Sequence, residues 1–242
     1  IRLILDLVMN HTSDKHLWFI ESRSSRTSPK RDWYIWHPGK PGRRYPNNWR
    51  AAFGGRAWEY DSLTGEFYLH SFLKQQPDIN WRNPELKNAI FNDVRFWLDR
   101  GVDGFRVDVA HGLIKAEGLP DFDAEQSMLD GQSGPMWDQD GVHEVYRRWR
   151  TVLDSYDGDR SLVAEAWVAD PKRLALYLRP DEMHTAFNFQ FLDSPWDAAS
   201  YRQVITSTMA ADEVVGAPTT WVLSNHDVLR HVSRLGLKEP GS

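Results

Sequence analysis

Four acidic residues, Asp6, Asp108, Glu165 and Asp227, each stand at or just past the end of a short apolar run: IRLILD (1–6), VDGFRVDV (102–109), SLVAEA (161–166) and TTWVLSN (219–225). Taken singly, each could be a carboxylate that caps the next loop or helix. Four on one rim is a different matter, because like charges held close cost energy and are seldom gathered for stability alone. Period-two alternation puts Arg106 and Asp108 on one face of a strand, so the guanidinium can lie beside that carboxylate and keep it ionised. Glu165, facing Asp108 and Asp227, should instead be pushed to hold its proton. An ionised carboxylate opposite a protonated one is what glycosidic bond cleavage requires: a nucleophile for the anomeric carbon and an acid for the leaving oxygen. Asp227 would then stabilise a cationic sugar.

His11 and His226 adjoin these strand ends, in "NH" and "SNHD". A lone His is ordinarily a partly buried side chain bonded to backbone, but these neighbours favour contacts to sugar hydroxyls. Neither His has an i,i+4 partner on a helix or a ligand-rich cluster around it, so no metal site is expected. No Gly-rich phosphate loop follows any apolar run, which counts against a doubly wound open sheet as the rival architecture, and no cofactor is expected.

The elements that must position these groups alternate. A fifth apolar run spans 184 to 190 (HTAFNFQ), and near-continuous apolar strands suggest a parallel sheet buried on both faces by helical crossovers. The clearest helix runs from Pro84 to Arg100, with Asn83 as N-cap, Pro84 at its first position and Gly101 as its stop. Leu86, Ile90, Val94, Trp97 and Leu98 form its apolar stripe. Further helical periods cover 143 to 156, about 171 to 178, and 197 to 212, the last with Tyr201, Val204, Ile205 and Met209 as its apolar positions. Residues 12–82 break the alternation, are rich in Arg, Pro, Gly, Asn and Trp, and contain the hairpin-like WEYDSLTGEFYLHSF. They read as an inserted subdomain, with 1–11 and 83–242 forming the catalytic layer. At roughly 31 residues per βα unit, that layer has room for five or six units, fewer than an eight-fold barrel needs. The Arg and Lys residues at 23–31 and 40–44 read as solvated surface of the insertion.

With 242 residues, 41% of them hydrophobic and 26% charged, the chain can bury a substantial core, which excludes disorder. No apolar run approaches the ~20 residues of a membrane-spanning helix, so no membrane partner is expected. A net charge of −5 argues against nucleic acid. The absence of Cys excludes thiol nucleophiles and is compatible with a reducing cytoplasm, the expected location. Twelve Trp residues beside abundant carboxylates suit a small oligosaccharide, whose C–H faces stack on rings while its hydroxyls need polar partners.

At these residues the chain resembles the α-amylase superfamily of glycoside hydrolases, and within it the oligo-1,6-glucosidase and α-glucosidase branch. DLVMNH (6–11), GFRVDVAH (104–111), AEAW (164–167) and SNHD (224–227) look like four of its ordered strand motifs, and QPDIN (76–80) resembles the insertion motif of the branch. The resemblance implies Asp108 as nucleophile, Glu165 as general acid/base and Asp227 as transition-state stabiliser. It also implies that Asp6, His11, Arg106 and His226 line a glucose subsite. The implied fold is a partial TIM (β/α)8 barrel, strands three to seven, with the insertion after the third strand. The implied activity is a retaining, exo-acting α-glucosidase on α-1,4 or α-1,6 linked short gluco-oligosaccharides. His111 lies closer to Asp108 than the His of calcium-binding members does, so no structural calcium is implied. Two rivals remain: a transglucosylase or isomerase of the same fold, such as trehalose synthase or sucrose isomerase, and a non-catalytic transporter-associated module. The last expects lost carboxylates, and all three are present.

Overall fold

A computed structural model describes residues 1–41, 44–123 and 134–236. In chain order the strands are β1 (Ile4–Val8), β2 (Trp36–His37), β3 (Trp58–Asp61), β4 (Glu66–Leu69), β5 (Gly104–Asp108), β6 (Ser161–Ala164), β7 (Thr185–Asn188) and β8 (Thr220–Trp221). The α-helices are α1 (Leu17–Ser24), α2 (Pro84–Leu98), α3 (Val142–Asp154), α4 (Pro171–Leu176), α5 (Phe189–Asp193), α6 (Ala198–Val215) and α7 (His231–Arg234). Five strands form one parallel sheet in the order β1-β5-β6-β7-β8. This is the five-strand α/β run of a partial barrel, each of the first four strands feeding a helical crossover to the next as parallel neighbours require.

The helix read most clearly from sequence forms as expected at its start. Asn83 Oδ1 accepts the Leu86 N–H at 2.9 Å, and Pro84 fills the first turn. After its C-terminus Gly101 takes φ +84°, a left-handed stop that suits glycine. Phe91, rather than the expected Trp97, completes the buried stripe, because it faces Trp149 of α3 with ring centroids 6.2 Å apart. Trp97 packs on Phe96 and stays 43% exposed.

Three readings of the sheet and its helices need correction. First, burial alternates along β1 and β5 instead of covering both faces: Leu7, Phe105 and Val107 are buried, while Ile4, Asp6 and Val8 are open. The helices cover one face, and the five described strands do not close over the other. Second, the fifth apolar run is strand only to Asn188, whose side chain accepts the Phe191 N–H at 2.7 Å and starts α5. Third, α6 buries Thr208, Ala211 and Asp212 and leaves Ile205 and Met209 exposed. Asn188 donates to Thr208, and Thr219 donates to Asp212, so polar bonds hold that face to the sheet.

Within 12–82 the strands β2, β4 and β3 form a small antiparallel sheet whose β3-β4 hairpin is the WEYDSLTGEFYL segment. Its aromatic interior (Trp49, Trp58, Phe67, Phe72) is completed by Val109, Met136 and Trp137 from the loop after β5. The same segment also reaches the main core, since Phe19 of α1 packs against Tyr34, Trp36 and Tyr68. The basic cluster at 23–31 is less solvated than its sequence suggests. Arg31 is buried, paired with Glu66 and stacked 3.5 Å from the centre of the Trp36 ring. Arg23 binds Asp61 at 2.7 Å. Gly42 and Arg43 of the second cluster lie outside the described residues.

Candidate active site

Register builds the centre of the site. Pairing β1 with β5 sets Asp6 beside Arg106 and Val8 beside Asp108. Because side chains alternate, Arg106 and Asp108 then share a face with Asp6. The guanidinium donates from Nη1 to Asp6 Oδ1 at 2.6 Å and to Asp108 Oδ1 at 2.8 Å, while Nη2 lies 3.5 Å from Glu165 Oε2. One cation therefore touches three carboxylates. Burial works to lower the pKa of Arg106, but the hydrogen bond to Asp6 and the charges of Glu165 and Asp108 hold it above its ordinary value.

Glu165 follows β6 immediately, with a side chain 6% exposed. Its Oε2 accepts the Val109 backbone N–H at 2.8 Å, and its Oε1 accepts Trp167 Nε1–H at 2.9 Å. Its pKa is raised. Burial is the main cause and Asp108 adds to it, against the lowering effects of the Val109 N–H, Arg106 and Trp167. Two facing anions are the cause expected from sequence, whereas desolvation dominates, with Asp108 as the anion that adds to it. Val109 presents its N–H from a left-handed backbone, φ +48°. A β-branched residue there costs roughly 1–3 kcal/mol. The residue is 6% exposed within the cluster that includes Trp49, Trp58 and Trp137, and that packing holds the conformation.

Trp167 stacks on Phe189 at 4.1 Å and 12° while its indole N–H bonds the Glu165 carboxylate. Hydrogen bonding to the charged form favours ionisation, so removing this bond should raise the Glu165 pKa further. Trp167→Phe, which keeps an aromatic ring against Phe189, is expected to move the alkaline limb of kcat/KM upward in the full-length protein. A pH–rate profile checks this.

His11 packs against Phe72, its Nε2 3.0 Å from Gln76 Nε2, and it bridges Asp78 through the backbone. Burial lowers its pKa, against the charges of Asp78 and Asp108. His226 and Asp227 lie 3.5 Å from each other through Nε2 and Oδ2. They sit past β8, where Asn225 Oδ1 accepts the N–H groups of Asp227 and Val228 and sets the chain in a turn beyond the strand. The structure thus brings together Asp6, Arg106, Asp108 and Glu165, places His11 within the electrostatic reach of Asp108, and holds His226 and Asp227 in the turn past β8.

A buried lysine escaped the sequence reading. Lys115 Nζ lies 2.9 Å from Asp78 Oδ2, 3.0 Å from Asn10 Oδ1, 3.2 Å from Ser71 Oγ and 2.5 Å from the Gly112 carbonyl. Burial lowers its pKa and Asp78 opposes that. This one ammonium ties the β1 loop, the insertion and the loop after Asp108 together. A single Lys at the end of the apolar HGLIK segment was the only sequence signal. Lys115→Met would leave the Asp78 carboxylate buried and unpaired, so a loss of about 3–5 kcal/mol is expected in denaturant unfolding of the full-length protein.

Residues 1–240 match the family described as the α-amylase catalytic domain. The chain belongs to that family. The α-amylase domain here is 43% identical to an oligo-1,6-glucosidase of Parageobacillus thermoglucosidasius, over 98% of this chain and 44% of that protein. It is 38% identical to an α-glucosidase of Candida albicans, over 99% and 45%. Among solved structures it is similar to the trehalulose synthase of Pseudomonas mesoacidophila, with TM-score 0.88 and 36% identity over 99% of this chain and 44% of that one. A variant of that enzyme is solved with its substrate sucrose. The α-amylase domain therefore spans a little under half the length of the relatives it matches. No helix among the described residues is long and apolar enough to cross a membrane.

Proposed function

We propose that the protein carrying this chain is a retaining α-glucosidase that removes glucose from short α-1,4 or α-1,6 linked gluco-oligosaccharides. The observation that carries this reading is the shared guanidinium: Arg106 bonds Asp108 while touching Glu165, a carboxylate whose burial favours its protonated form. An anion and an acid side by side can divide the labour of glycoside cleavage. In the first step an Asp108 oxygen forms a bond to the anomeric carbon as the glycosidic C–O bond breaks. The Glu165 proton goes to the departing oxygen. In the second step water attacks the same carbon, its proton passes to Glu165, and the ester bond to Asp108 breaks. Asp6 and Arg106 fix the geometry at the sugar, and His11 supplies a polar wall.

The parts given to Asp227, as stabiliser of the cationic sugar, and to His226, as a sugar contact, rest on the SNHD motif. The similar trehalulose synthase favours one further reading, in which a sugar hydroxyl instead of water attacks the glucosyl ester. Chromatography of products from maltose, isomaltose and sucrose separates the two. Free glucose as the main product from maltose or isomaltose supports the glucosidase. Conversion of sucrose into an isomeric disaccharide, with little glucose released, supports the transferase.

A further inference from the structure

The amide groups around His11 restrict where its proton can sit. Gln76 Oε1 accepts the Leu73 N–H at 3.1 Å, which turns the Gln76 NH2 toward His11 Nε2 at 3.0 Å. Asn10 Oδ1 accepts from Lys115 at 3.0 Å, which turns the Asn10 NH2 toward His11 Nδ1 at 3.4 Å. Both ring nitrogens thus face amide donors whose oxygens are already engaged. A neutral imidazole has one lone pair to offer and an imidazolium has none. Full protonation would set ring N–H against amide N–H on both sides. In the neutral ring, the shorter contact takes the lone pair.

We propose that Gln76 is a positioning residue that holds His11 as a neutral imidazole, with Nε2 as acceptor and the proton on Nδ1. The charged groups acting on the ring are Asp78 and Asp108, which favour the imidazolium, and Lys115, which with burial opposes it. Neutrality matters because an imidazolium near Asp108 would compete for the charge of that carboxylate. This functional consequence rests on the reading that His11 and Asp108 line a glucose site. It also gives the QPDIN segment a chemical role, in which Gln76 aims at the ring and Asp78 anchors the segment to Lys115 and Ser71.

The test uses full-length protein with 15N-labelled histidine. Two-bond proton–nitrogen correlation spectra show which ring nitrogen carries the proton, and His11 is identified by the resonance lost in His11→Gln. The expected result is a protonated Nδ1 and an unprotonated Nε2, unchanged between about pH 5 and 8. In Gln76→Glu the new carboxylate should draw a proton onto Nε2 and bring His11 into that titration range. In Gln76→Met, which removes the donor without adding charge, the single tautomer should give way to a mixture. KM for a glucoside should rise about 2- to 10-fold in that variant, with kcat changed less. An Nε2-protonated ring in the unsubstituted protein, or a Gln76→Met ring and KM both unchanged, would overturn the proposal. The spectra do not depend on turnover. Absent glucosidase activity in the unsubstituted protein therefore counts against the proposed function, and a wrong tautomer counts against the role of Gln76.

Discussion

Asp108→Gly in the full-length protein should lower kcat by roughly 10^4- to 10^6-fold, the scale seen when a covalent nucleophile is removed. The size of the effect follows from what remains. Arg106 would keep Asp6 and Glu165 as partners, so the site should stay assembled while the group that bonds the anomeric carbon is gone. Added azide offers a replacement small enough for the space vacated by the carboxylate. It would attack from the face that Asp108 occupied, and an activated α-glucoside should then give the β-glucosyl azide. An α-configured azide product would contradict the role given to Asp108.

Glu165→Gln separates proton transfer from sugar binding. The amide is nearly isosteric with the acid and can stay against the Val109 N–H and Trp167, yet it cannot deliver a proton. Substrates with poor leaving groups, such as maltose, should lose about 10^2- to 10^4-fold in kcat/KM. Activated aryl glucosides, whose leaving group needs little protonation, should lose much less in the glucosylation step. Equal losses on both would remove the acid role. In the unsubstituted enzyme the alkaline limb should fall above the ordinary carboxylate range, because burial makes the Glu165 anion costly and the proton is therefore retained to higher pH.

What could be read from the sequence was governed by local periodicity. Alternation along GFRVD suffices to put Arg106 and Asp108 on one face, and Asn83, Pro84 and Gly101 mark the ends of a helix. Asp6 was legible as a strand-end acid, but its bond to Arg106 depends on the β1-β5 register, which no local pattern states. The left-handed backbone at Val109 was hidden for a stronger reason. Branched residues avoid that region, and it is stabilised here by burial in a cluster that includes residues 49, 58 and 137, distant in the chain. Lys115 and its four oxygen partners are hidden likewise, since the partners come from three separate segments. At β7 the run AFNFQF fits a strand or a buried helix equally by hydrophobicity, and the side chain of Asn188 decides the boundary. Beyond β8 the turn at Asn225 sets His226 and Asp227 in a loop.

The central claim is a covalent glucosyl-enzyme on Asp108, and covalent capture tests it most directly. A fluorinated α-glucosyl donor with a good leaving group slows the second step more than the first, so the ester accumulates and survives digestion. Peptide mass spectrometry of the full-length protein should then find one added sugar on the peptide containing GFRVDVAH, with fragmentation placing it on Asp108. A sugar on Asp6, Glu165 or Asp227 instead, or full hydrolysis of the donor with inversion at the anomeric carbon and no adduct, would contradict the account.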